Sequence, residues 1–477
     1  MNVENLLVMK FGGTSVGSAE RMKIACDLIA AEALRRPVLA VVSAMSKITD
    51  LLLDTTRHAE AGDQAGIDQG LRQLETRHFE AAKDLIPAGA LAGVEASIDE
   101  LVGEFRRIVN GMQMLAYRPP RAVDEAIAVG ERLSALLVSA HLRSRGIAAQ
   151  AVNAAEAIVT DAVFNNASPL MDATIVKATT RLMPPLKAGE IPIVTGFNGA
   201  TADGRPTTLG RGGSDFSASI LAAALGASEL WIWTDVDGIM TADPRLVPGA
   251  EILDEITYSE AAELAYAGAK VLHPRTLAPL VERRIPVWSK NSFAPEKPGT
   301  RIVPALGAGN SGARAVTSMA NVALVSLEPA SSLVGGVHIM ARALDALDRA
   351  NVEILAISSS SYRQSFCFLV RKDELEKTTE AIEAALSLEL THGYVKGIDV
   401  DPDVGLLAVV GEGMRGFSGL AGRIFTAISR ESVNIIAIAQ GSSELTISIV
   451  VRRDGLEKAV RAVHAECRLA LETHRSS

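Results

Sequence analysis

Short apolar runs alternate with helical patterns along roughly the first 300 residues, and this alternation restricts the possible folds more than any other feature. The runs that predict strands lie at 6–9, 38–42, 147–152, 191–195, 229–234 and 285–288. Strands separated by helices run parallel, and a parallel sheet needs helices on both of its faces. The sequence therefore predicts an α/β fold with three layers and a mostly parallel sheet.

The stretch 51–118 departs from that alternation because it is helical almost throughout. Its apolar residues recur at i, i+3 and i+4, and β-branched runs are few. It predicts a helical insertion that serves as scaffold.

An internal repeat follows a linker predicted at 307–312 from its Gly, Asn and Ser content. Val352 of the first copy corresponds to Val433 of the second, an offset of 81 residues (433 − 352). Each copy approaches a βαββαβ unit. We therefore predict domains at 1–306, 315–395 and 396–477, with the last strand or helix as an alternative completion of the first copy.

Composition and charge exclude several classes of protein. A chain that is 48% hydrophobic and 22% charged is not broadly disordered. With 47 Lys and Arg against 56 Asp and Glu, the net charge of −9 argues against a nucleic-acid-binding protein with a broad basic face. No apolar stretch reaches the roughly 18 residues of a membrane span. Three distant cysteines without CxxC spacing, and an N-terminus unlike a secretory signal, predict the cytoplasm as the compartment.

A glycine-rich turn, KFGGTS, follows the first predicted strand. Backbone N–H groups around Gly12 and Gly13 can converge on an anion, and the following helix adds the positive end of its dipole. Lys10 places a charge in the same region, so the segment suits a phosphoryl group. The alternative is a tight turn with a solvated lysine, and the GxxxxGK[ST] pattern of a P-loop is absent.

Two further segments carry candidate binding residues. In TLGRGGSD, three glycines bracket Arg211, whose guanidinium can hold a carboxylate through two hydrogen bonds. Asp215 ends this segment in the first turn of a helix, where it could orient a cation or simply cap the helix. In WTDVDGIMTADPR, a strand delivers Thr234 and Asp235 at its carboxyl end, where open α/β sheets bind ligands. The alternative for the first segment is a flexible loop, and the alternative for the second is a turn rich in Asp and Gly.

A GxGxxG pattern at 411–416 could indicate dinucleotide binding. The pattern lies in the second copy of the repeat, however, and the first copy keeps only Gly335, which matches Gly416. Each copy is also too small for half of a Rossmann fold. We therefore expect no nucleotide there. The histidines form no metal-binding pair and GxSxG is absent, so no metal-ligating residue and no hydrolase is predicted.

The chain resembles the aspartate kinases of the amino acid kinase family in six segments: KFGGTS, SAMS, AVGERLSA, TLGRGGSD, WTDVDGIMTADPR and AKVLHPRTL. The repeat resembles their tandem ferredoxin-like ACT domains. The segment 436–451 is most similar to the kinase half of threonine-sensitive bifunctional aspartokinase–homoserine dehydrogenases. The chain ends where that dehydrogenase would begin, so homoserine oxidation is not expected.

The resemblance implies the reaction ATP + L-aspartate → ADP + 4-phospho-L-aspartate, the first step of the aspartate pathway to lysine, threonine and methionine. The β-carboxylate of aspartate, with a reference pKa of about 3.9, is already ionised, so no strong general base is needed. Catalysis would consist of positioning and charge neutralisation.

Matching positions imply the roles of individual residues. Lys10 would stabilise the transferring phosphoryl group, and Asp215 would orient that lysine. Arg211 would clamp a substrate carboxylate, and Glu131 would pair with its ammonium group. The full set implied to bind aspartate is Ser43, Thr49, Glu131, Arg211, Gly212, Gly213 and Ser214. The set implied to surround the nucleotide, with Mg²⁺ bridging its phosphates, is Gly12, Gly13, Ser15, Thr234, Asp235, Met240, Arg245 and Lys270.

The ACT pair implies allosteric control by an end-product amino acid, and a homodimer or tetramer formed through these domains. Gln440 stands where threonine-sensitive relatives bind their effector, but its counterpart in the first copy is Ser359. Asn434 is the third candidate. The pattern favours threonine over lysine, through the second copy only, with partial loss of control as the alternative.

Two other functions compete with this interpretation. A glutamate kinase is opposed by the ACT pair and by Glu131 in GERLSA. A catalytically inactive amino-acid sensor is opposed by the intact Lys10, Arg211 and Asp215.

Overall fold

The computed structural model describes residues 5–269, 272–306, 312–330, 335–361, 365–414 and 417–475, with side chains up to 467. Its described residues form two compact units: 5–239, 254–258 and 272–305 make the first, and the remainder make the second. Most of the predicted linker lies outside the described residues, as does Gly416. No helix in the described segments has the length and apolar character needed to cross a membrane.

The first unit is built on an eight-stranded sheet. Its strands, in spatial order, are β3 (Ala149–Val152), β5 (Ile191–Thr195), β2 (Val38–Val42), β1 (Leu7–Phe11), β8 (Glu229–Thr234), β10 (Val287–Asn291), β11 (Thr300–Val303) and β9 (Glu255–Thr257). All neighbours are parallel except β10 and β11. Phe11 lies beside both Val42 and Trp233, so β1, β2 and β8 end at the same edge of the sheet.

Helices pack against this sheet, and the residues of β1 contribute to the core between them. Every residue of β1 is buried. Leu7 and Met9 pack in one cluster with Met22 and Ile29. The helices with residues in the first unit are α1 (Ala19–Ala33), α5 (Pro120–Ile127), α6 (Val129–Ser144), α7 (Met171–Lys187), α8 (Gly213–Leu225) and α10 (Pro274–Arg283). The predicted helical insertion consists of α2 (Ile48–Glu60), α3 (Gln64–Leu85) and α4 (Ala88–Leu115).

A small second sheet in the same unit was not predicted from the sequence. It contains β4 (Val159–Thr160), β6 (Asn198–Thr201) and β7 (Pro206–Thr208). A single 3₁₀ turn, Ala154–Glu156, precedes it. Because β7 ends at Thr208, it leads directly into the glycine-rich segment around Arg211.

The second unit is built on one continuous antiparallel sheet of six strands. Their spatial order is β13 (Ala356–Ser359), β14 (Phe366–Arg371), β12 (Ala315–Pro329), β15 (Val395–Val410), β17 (Thr446–Arg452) and β16 (Ile435–Gln440). The associated helices are α11 (Gly336–Arg349), α12 (Leu375–Ala385), α13 (Ser387–Thr391), α14 (Leu420–Arg430) and α15 (Leu456–Arg475). Helix α9 (Tyr258–Tyr266) precedes them in the chain, and 3₁₀ turns occupy Lys372–Glu374 and Arg453–Gly455.

The two copies of the repeat share the long strands β12 and β15. The first half of β12, up to Met319, pairs with the last half of β15, and its second half pairs with the first half of β15. A register shift between Met319 and Val322 separates the halves. One half of each long strand therefore belongs to each copy, so that every copy contains four strands. This sharing explains why the sequence did not determine which copy the last strand completes.

The closing helix α15 packs into the core of the second copy. Val460 and Val463 lie in one cluster with Val409 and Ile424, whereas the first copy has a separate core. This packing favours the second copy, and not the first, as the unit that this helix completes. Ala242 joins the same cluster, because the described parts of 240–253 and 259–271 belong to the second unit. The domain boundaries 1–306, 315–395 and 396–477 stay a prediction.

Gly411, the first glycine of the GxGxxG pattern, has a packing role. A Cβ atom at this position would lie 1.9 Å from the carbonyl oxygen of Gly312, so only glycine fits where the two backbone segments meet. This close approach accounts for the glycine without a nucleotide.

Candidate active site

A cavity of about 910 Å³ lies at the carboxyl-end edge of β1, β2 and β8 in the first unit. Open α/β sheets bind ligands at such edges. The predicted site residues that line it are Lys10, Gly12, Gly13, Ser43, Thr49, Glu131, Arg211, Gly212, Gly213, Ser214, Asp215, Thr234 and Asp235. Residues from five separate parts of the sequence therefore meet in one place.

Lys10 and Asp215 form an ion pair in this cavity. Lys10 is only 7% exposed, and its Nζ lies 2.5 Å from Oδ1 of Asp215 in the first turn of α8. A Cβ atom at Gly12 would lie 3.4 Å from the same Nζ, so glycine leaves room beside the ammonium group. The pair fixes a positive charge at the start of the glycine-rich turn.

Gly13 allows the turn after β1 to approach the segment that follows β2. A Cβ atom at this position would lie 3.0 Å from the carbonyl oxygen of Ala44. The N–H of Ser46 donates to the carbonyl of Gly13 at 3.1 Å, and the N–H of Gly12 donates to Trp233 at 3.1 Å. The turn is therefore held between β2 and β8 by backbone contacts that a side chain at Gly13 would disturb.

Ser15 is not among the residues that line the cavity, and its contact with the nucleotide stays a prediction. It is 1% exposed, its Oγ lies 2.8 Å from Oγ of Ser292, and it donates to the carbonyl of Trp233. Ser292 in turn donates to the carbonyl of Thr234. Because its hydroxyl is buried behind the turn, Ser15 holds the turn to the end of β8.

Glu131 is a buried carboxylate with one satisfied oxygen. The side chain lies in the first turn of α6, is 2% exposed, and accepts a hydrogen bond on Oε1 from the N–H of Ala44 at 3.1 Å. Its Oε2 has no hydrogen-bond partner among the described residues. Burial raises the pKa of Glu131 to about 8, and the Ala44 N–H and the charge on Lys10 oppose that rise. A cationic group of a ligand would complete this site.

The loop that carries Arg211 depends on its glycines. Gly210 and Gly212 have φ values of 73° and 70°, a region that residues with a side chain rarely adopt. A Cβ atom at Gly213 would come within 2.6 Å of the Phe197 ring. Arg211 is exposed between these glycines and lines the cavity.

Two residues at this site were missed in the sequence analysis. Lys47 lines the cavity with φ of 66° immediately before α2, a conformation that is uncommon without glycine. Asp124 lies behind the Arg211 loop, is fully buried and accepts hydrogen bonds from Thr208 and Asn165. No local pattern revealed Asp124, because its partners Asn165 and Thr208 lie 41 and 84 residues away in the sequence.

Two further predicted nucleotide residues lie in the second unit, and a third falls outside the described residues. Met240 and Arg245 belong to the second unit, where Met240 pairs with Ile252 and Arg245 forms an ion pair with Asp243. Lys270 lies outside the described residues. Their contacts with a nucleotide stay predictions.

The predicted effector residues fall in different places of the second unit. Gln440 lines a cavity of about 280 Å³ with Met414, Phe417 and Glu444. Ser359 lines a separate cavity of about 610 Å³, and Asn434 is exposed. Within the described segments, no group of three or more His, Cys, Asp or Glu side chains is arranged to hold a metal ion.

Comparison with known proteins gives the family. Residues 5–291 match the amino acid kinase family, and 331–386 and 407–467 match an ACT domain. The chain is 33% identical to bifunctional aspartokinase/homoserine dehydrogenase 1 of Arabidopsis thaliana, over 98% of this chain and 51% of that protein. It is 34% identical to the bifunctional enzyme of Haemophilus influenzae, over 96% and 56%. The chain thus spans about half the length of these bifunctional relatives.

Proteins of similar length agree with this match. The aspartokinase of Schizosaccharomyces pombe is 31% identical, over 99% of this chain and 96% of that one. Escherichia coli aspartokinase III, in complex with aspartate and ADP, superposes with a TM-score of 0.82 at 31% identity, over 97% and 99% of the two chains. The same enzyme with lysine and aspartate, in its T-state, gives 0.79 over the same shares. The chain therefore belongs to the amino acid kinase family, among the aspartokinases that carry C-terminal ACT domains.

Proposed function

We propose that this protein is an aspartate kinase, which transfers the γ-phosphoryl group of ATP to the β-carboxylate of L-aspartate. The observation that carries the proposal is one cavity that combines the Lys10–Asp215 ion pair, the half-satisfied Glu131 and the exposed Arg211. The E. coli relative binds aspartate and ADP, which supports both substrates.

Aspartate recognition follows from complementary charge. The guanidinium of Arg211 clamps the α-carboxylate, and the substrate ammonium donates to the open oxygen of Glu131. A buried carboxylate that lacks a partner is costly, and a cation that arrives with its own N–H groups removes that cost. An acylated amino group carries no charge, so N-acyl aspartate is excluded.

Phosphoryl transfer needs no base here because the attacking β-carboxylate is ionised at neutral pH, with a reference pKa of about 3.9. The obstacle is repulsion between that anion and the triphosphate. Lys10 neutralises charge on the transferring group, Asp215 holds Nζ in place, and Gly12 leaves room for the phosphates beside that ammonium group. The exposed carboxylate of Asp235 suits Mg²⁺, which prefers oxygen ligands and, when bound with ATP, would offset phosphate charge.

The second unit regulates this reaction in our proposal. Threonine or lysine is the effector, and threonine in the cavity lined by Gln440 is favoured. Lysine in the T-state structure of the E. coli relative supports control by an amino acid. The chains associate as a dimer or tetramer through their ACT domains, and the product enters the pathway to lysine, threonine and methionine. The unpaired thiols of Cys26, Cys367 and Cys467 support a cytoplasmic location.

The test is an ATP-dependent assay that traps the acyl phosphate as a hydroxamate. Aspartate is compared with glutamate and N-acetyl-aspartate, and threonine, lysine and methionine are added singly and in pairs. Hydroxamate formed from aspartate alone supports the proposal, and inhibition identifies the effector. Turnover of glutamate in preference to aspartate would contradict the substrate, and amino-acid binding without any turnover would identify a sensor.

A further inference from the structure

Asp124, in the middle of α5, is a buried carboxylate with an unusual set of partners. It is 0% exposed, and no cation pairs with it among the described residues. Three donors satisfy it instead: the N–H of Asn165 at 2.9 Å, the N–H of Thr208 at 3.0 Å and the hydroxyl of Thr208 at 2.5 Å. A buried anion kept without a counter-charge needs a reason beyond ordinary packing.

We propose that Asp124 is a positioning residue for aspartate binding, which holds the Arg211 loop by fixing Thr208 and Asn165. The proposal rests on the proposed function, since it takes aspartate as the ligand of Arg211.

Thr208 is the fixed end of the Arg211 loop. The N–H and the hydroxyl of Thr208 both donate to Asp124. The carbonyl of Thr208 accepts from the N–H of Ala167 at 2.9 Å. The loop then runs only as far as Gly213, where α8 begins, and two of its glycines have positive φ. Such a backbone is conformationally free in isolation, so its geometry depends on how its two ends are held.

The other end of the loop is fixed by a different contact. Asp215, in the first turn of α8, pairs with Lys10. Arg211 thus lies in the sequence between two segments that are each fixed by a carboxylate. Asp124 fixes the segment at Thr208 by accepting from its backbone N–H, and Asp215 fixes the start of α8 by its ion pair with Lys10. Loss of the first anchor leaves the second intact, so the two can be separated by experiment.

Asn165 is the second segment that Asp124 fixes. Its N–H points at both carboxylate oxygens, its φ is 68°, and it lines the cavity. The neighbouring Asn166 lies against Gly210, where a Cβ atom would be 2.6 Å from Oδ1, and accepts from Arg275. One carboxylate therefore holds this segment in place beside the Arg211 loop.

The chemistry of the contact explains the choice of Asp. All three partners donate, and an ionised carboxylate accepts without presenting a donor of its own. An amide at this position would place an N–H group against a backbone N–H, although the Thr208 hydroxyl could turn and accept. Asp124→Asn should therefore weaken the contact less than Asp124→Ala does. Thr208→Val removes one donor and leaves the carboxylate of Asp124 unchanged.

The experiment compares two adjacent threonines of β7. Thr208→Val removes the hydroxyl bound to Asp124, and Thr207→Val removes a buried hydroxyl that bonds Thr160 at 2.7 Å, on the same strand. Steady-state KM for aspartate, KM for ATP and kcat are measured for both variants, for Thr208→Ser and for Asp124→Ala. We expect Thr208→Val to raise the aspartate KM about fivefold and Asp124→Ala about tenfold or more. The ATP KM should stay within about twofold, and Thr208→Ser and Thr207→Val should resemble the wild type.

The double variant Asp124→Ala/Arg211→Ala tests whether Asp124 acts through Arg211. Its aspartate KM should equal that of Arg211→Ala alone, because Arg211, the side chain through which Asp124 acts, is already absent. Additive effects, or equal effects of Thr207→Val and Thr208→Val, would overturn the proposal.

Hydrogen exchange of the peptide 208–216, followed by mass spectrometry, gives a readout that does not need activity. Exchange in this peptide should accelerate in Thr208→Val but not in Thr207→Val. Failure of the wild type to phosphorylate aspartate would reject the proposed function, whereas unchanged exchange in Thr208→Val would reject the anchor itself.

Discussion

The open oxygen of Glu131 predicts a specific pH dependence of aspartate binding. Burial raises the pKa of this carboxyl to about 8, so in the free enzyme at pH 7 only about a tenth of the molecules carry the charge that attracts an ammonium group. Because the folded-state pKa lies above the ordinary value of 4.5, lowering the pH protonates Glu131 and weakens binding. The aspartate ammonium stays protonated throughout this range.

The magnitude follows from the fraction of ionised Glu131. If only the carboxylate form binds, the aspartate KM is multiplied by 1 + 10^(pKa − pH), which gives roughly twofold at pH 8, elevenfold at pH 7 and a hundredfold at pH 6. KM should therefore rise about fivefold from pH 8 to 7 and about tenfold more from pH 7 to 6. The value of kcat at saturating aspartate should change much less, because bound substrate keeps Glu131 ionised.

The assay is the hydroxamate or coupled ADP measurement at constant ionic strength, with Glu131→Gln as the comparison. The amide still accepts from Ala44 but cannot pair with an ammonium group, which costs about 2 kcal/mol or more and raises KM at pH 8 by at least about 30-fold. Its KM should be flat from pH 6 to 8. A wild-type KM that is flat over this range, or a Glu131→Gln variant that keeps the wild-type slope, would exclude Glu131 as the group that binds the ammonium.

Three further predictions concern separate parts of the first unit. Lys10→Ala should lower kcat by at least about 10²-fold, because it removes a charge at the transferring phosphoryl group. The control Lys23→Ala, at an exposed lysine, should leave kcat unchanged. Near-normal turnover of Lys10→Ala would contradict the role of Lys10. Arg211→Ala should mainly raise the aspartate KM, and an unchanged KM would remove its carboxylate contact. Burial lowers the pKa of His78 from 6.5 to about 4, so the unfolded chain binds this proton first and the free energy of unfolding should fall by up to about 3 kcal/mol between pH 6.5 and 4. Thermal denaturation should show a shallower pH slope in His78→Leu, and an identical slope would assign the acid sensitivity to other groups.

Six of the eight strands of the main sheet could be predicted because both of its faces are covered, whereas the short strands β9 and β11 were not predicted. Strands β1, β2, β5 and β8 are continuous apolar runs, and their predicted bounds differ from the observed ones by at most two residues. Strands β4, β6 and β7 were missed since they are short and contain buried threonines and a glycine. Their pairing is decided by residues that are distant in sequence, such as Val159 and Ala200.

The repeat predicted two similar units but not how they join. The offset between Val352 and Val433 is a local pattern that any comparison of the two halves detects. The sharing of β12 and β15 depends instead on pairing between Ala315 and Val410, which no local pattern encodes. Periodicity within a copy determines its own elements, whereas the edge on which a strand pairs is settled by the whole sheet.

The site shows the same division between local and distant information. Lys10, Arg211 and Asp215 lie in glycine-rich segments whose composition already indicates anion binding. Asp124 carries no such mark, because its partner Thr208 lies 84 residues away and the contact exists only in the fold. Ser15 belongs to a recognisable segment, yet its side chain points to Ser292, a contact that the segment itself does not encode.

Asp124 and Glu131 are both buried and lie seven residues apart, but they differ in how the protein satisfies them. Asp124 has a structural role, whereas Glu131 has one oxygen that a ligand could satisfy. Asp124 accepts from three protein donors, and burial raises its pKa against the opposing effect of those hydrogen bonds. Glu131 accepts from one, its second oxygen has no hydrogen-bond partner among the described residues, and the residue lines the cavity together with Lys10 and Arg211. Because an open buried oxygen destabilises the free protein, its presence is explained by a substrate that completes it. In our proposal, Glu131 therefore selects the ammonium group of the substrate, and Asp124 determines the geometry of the carboxylate clamp.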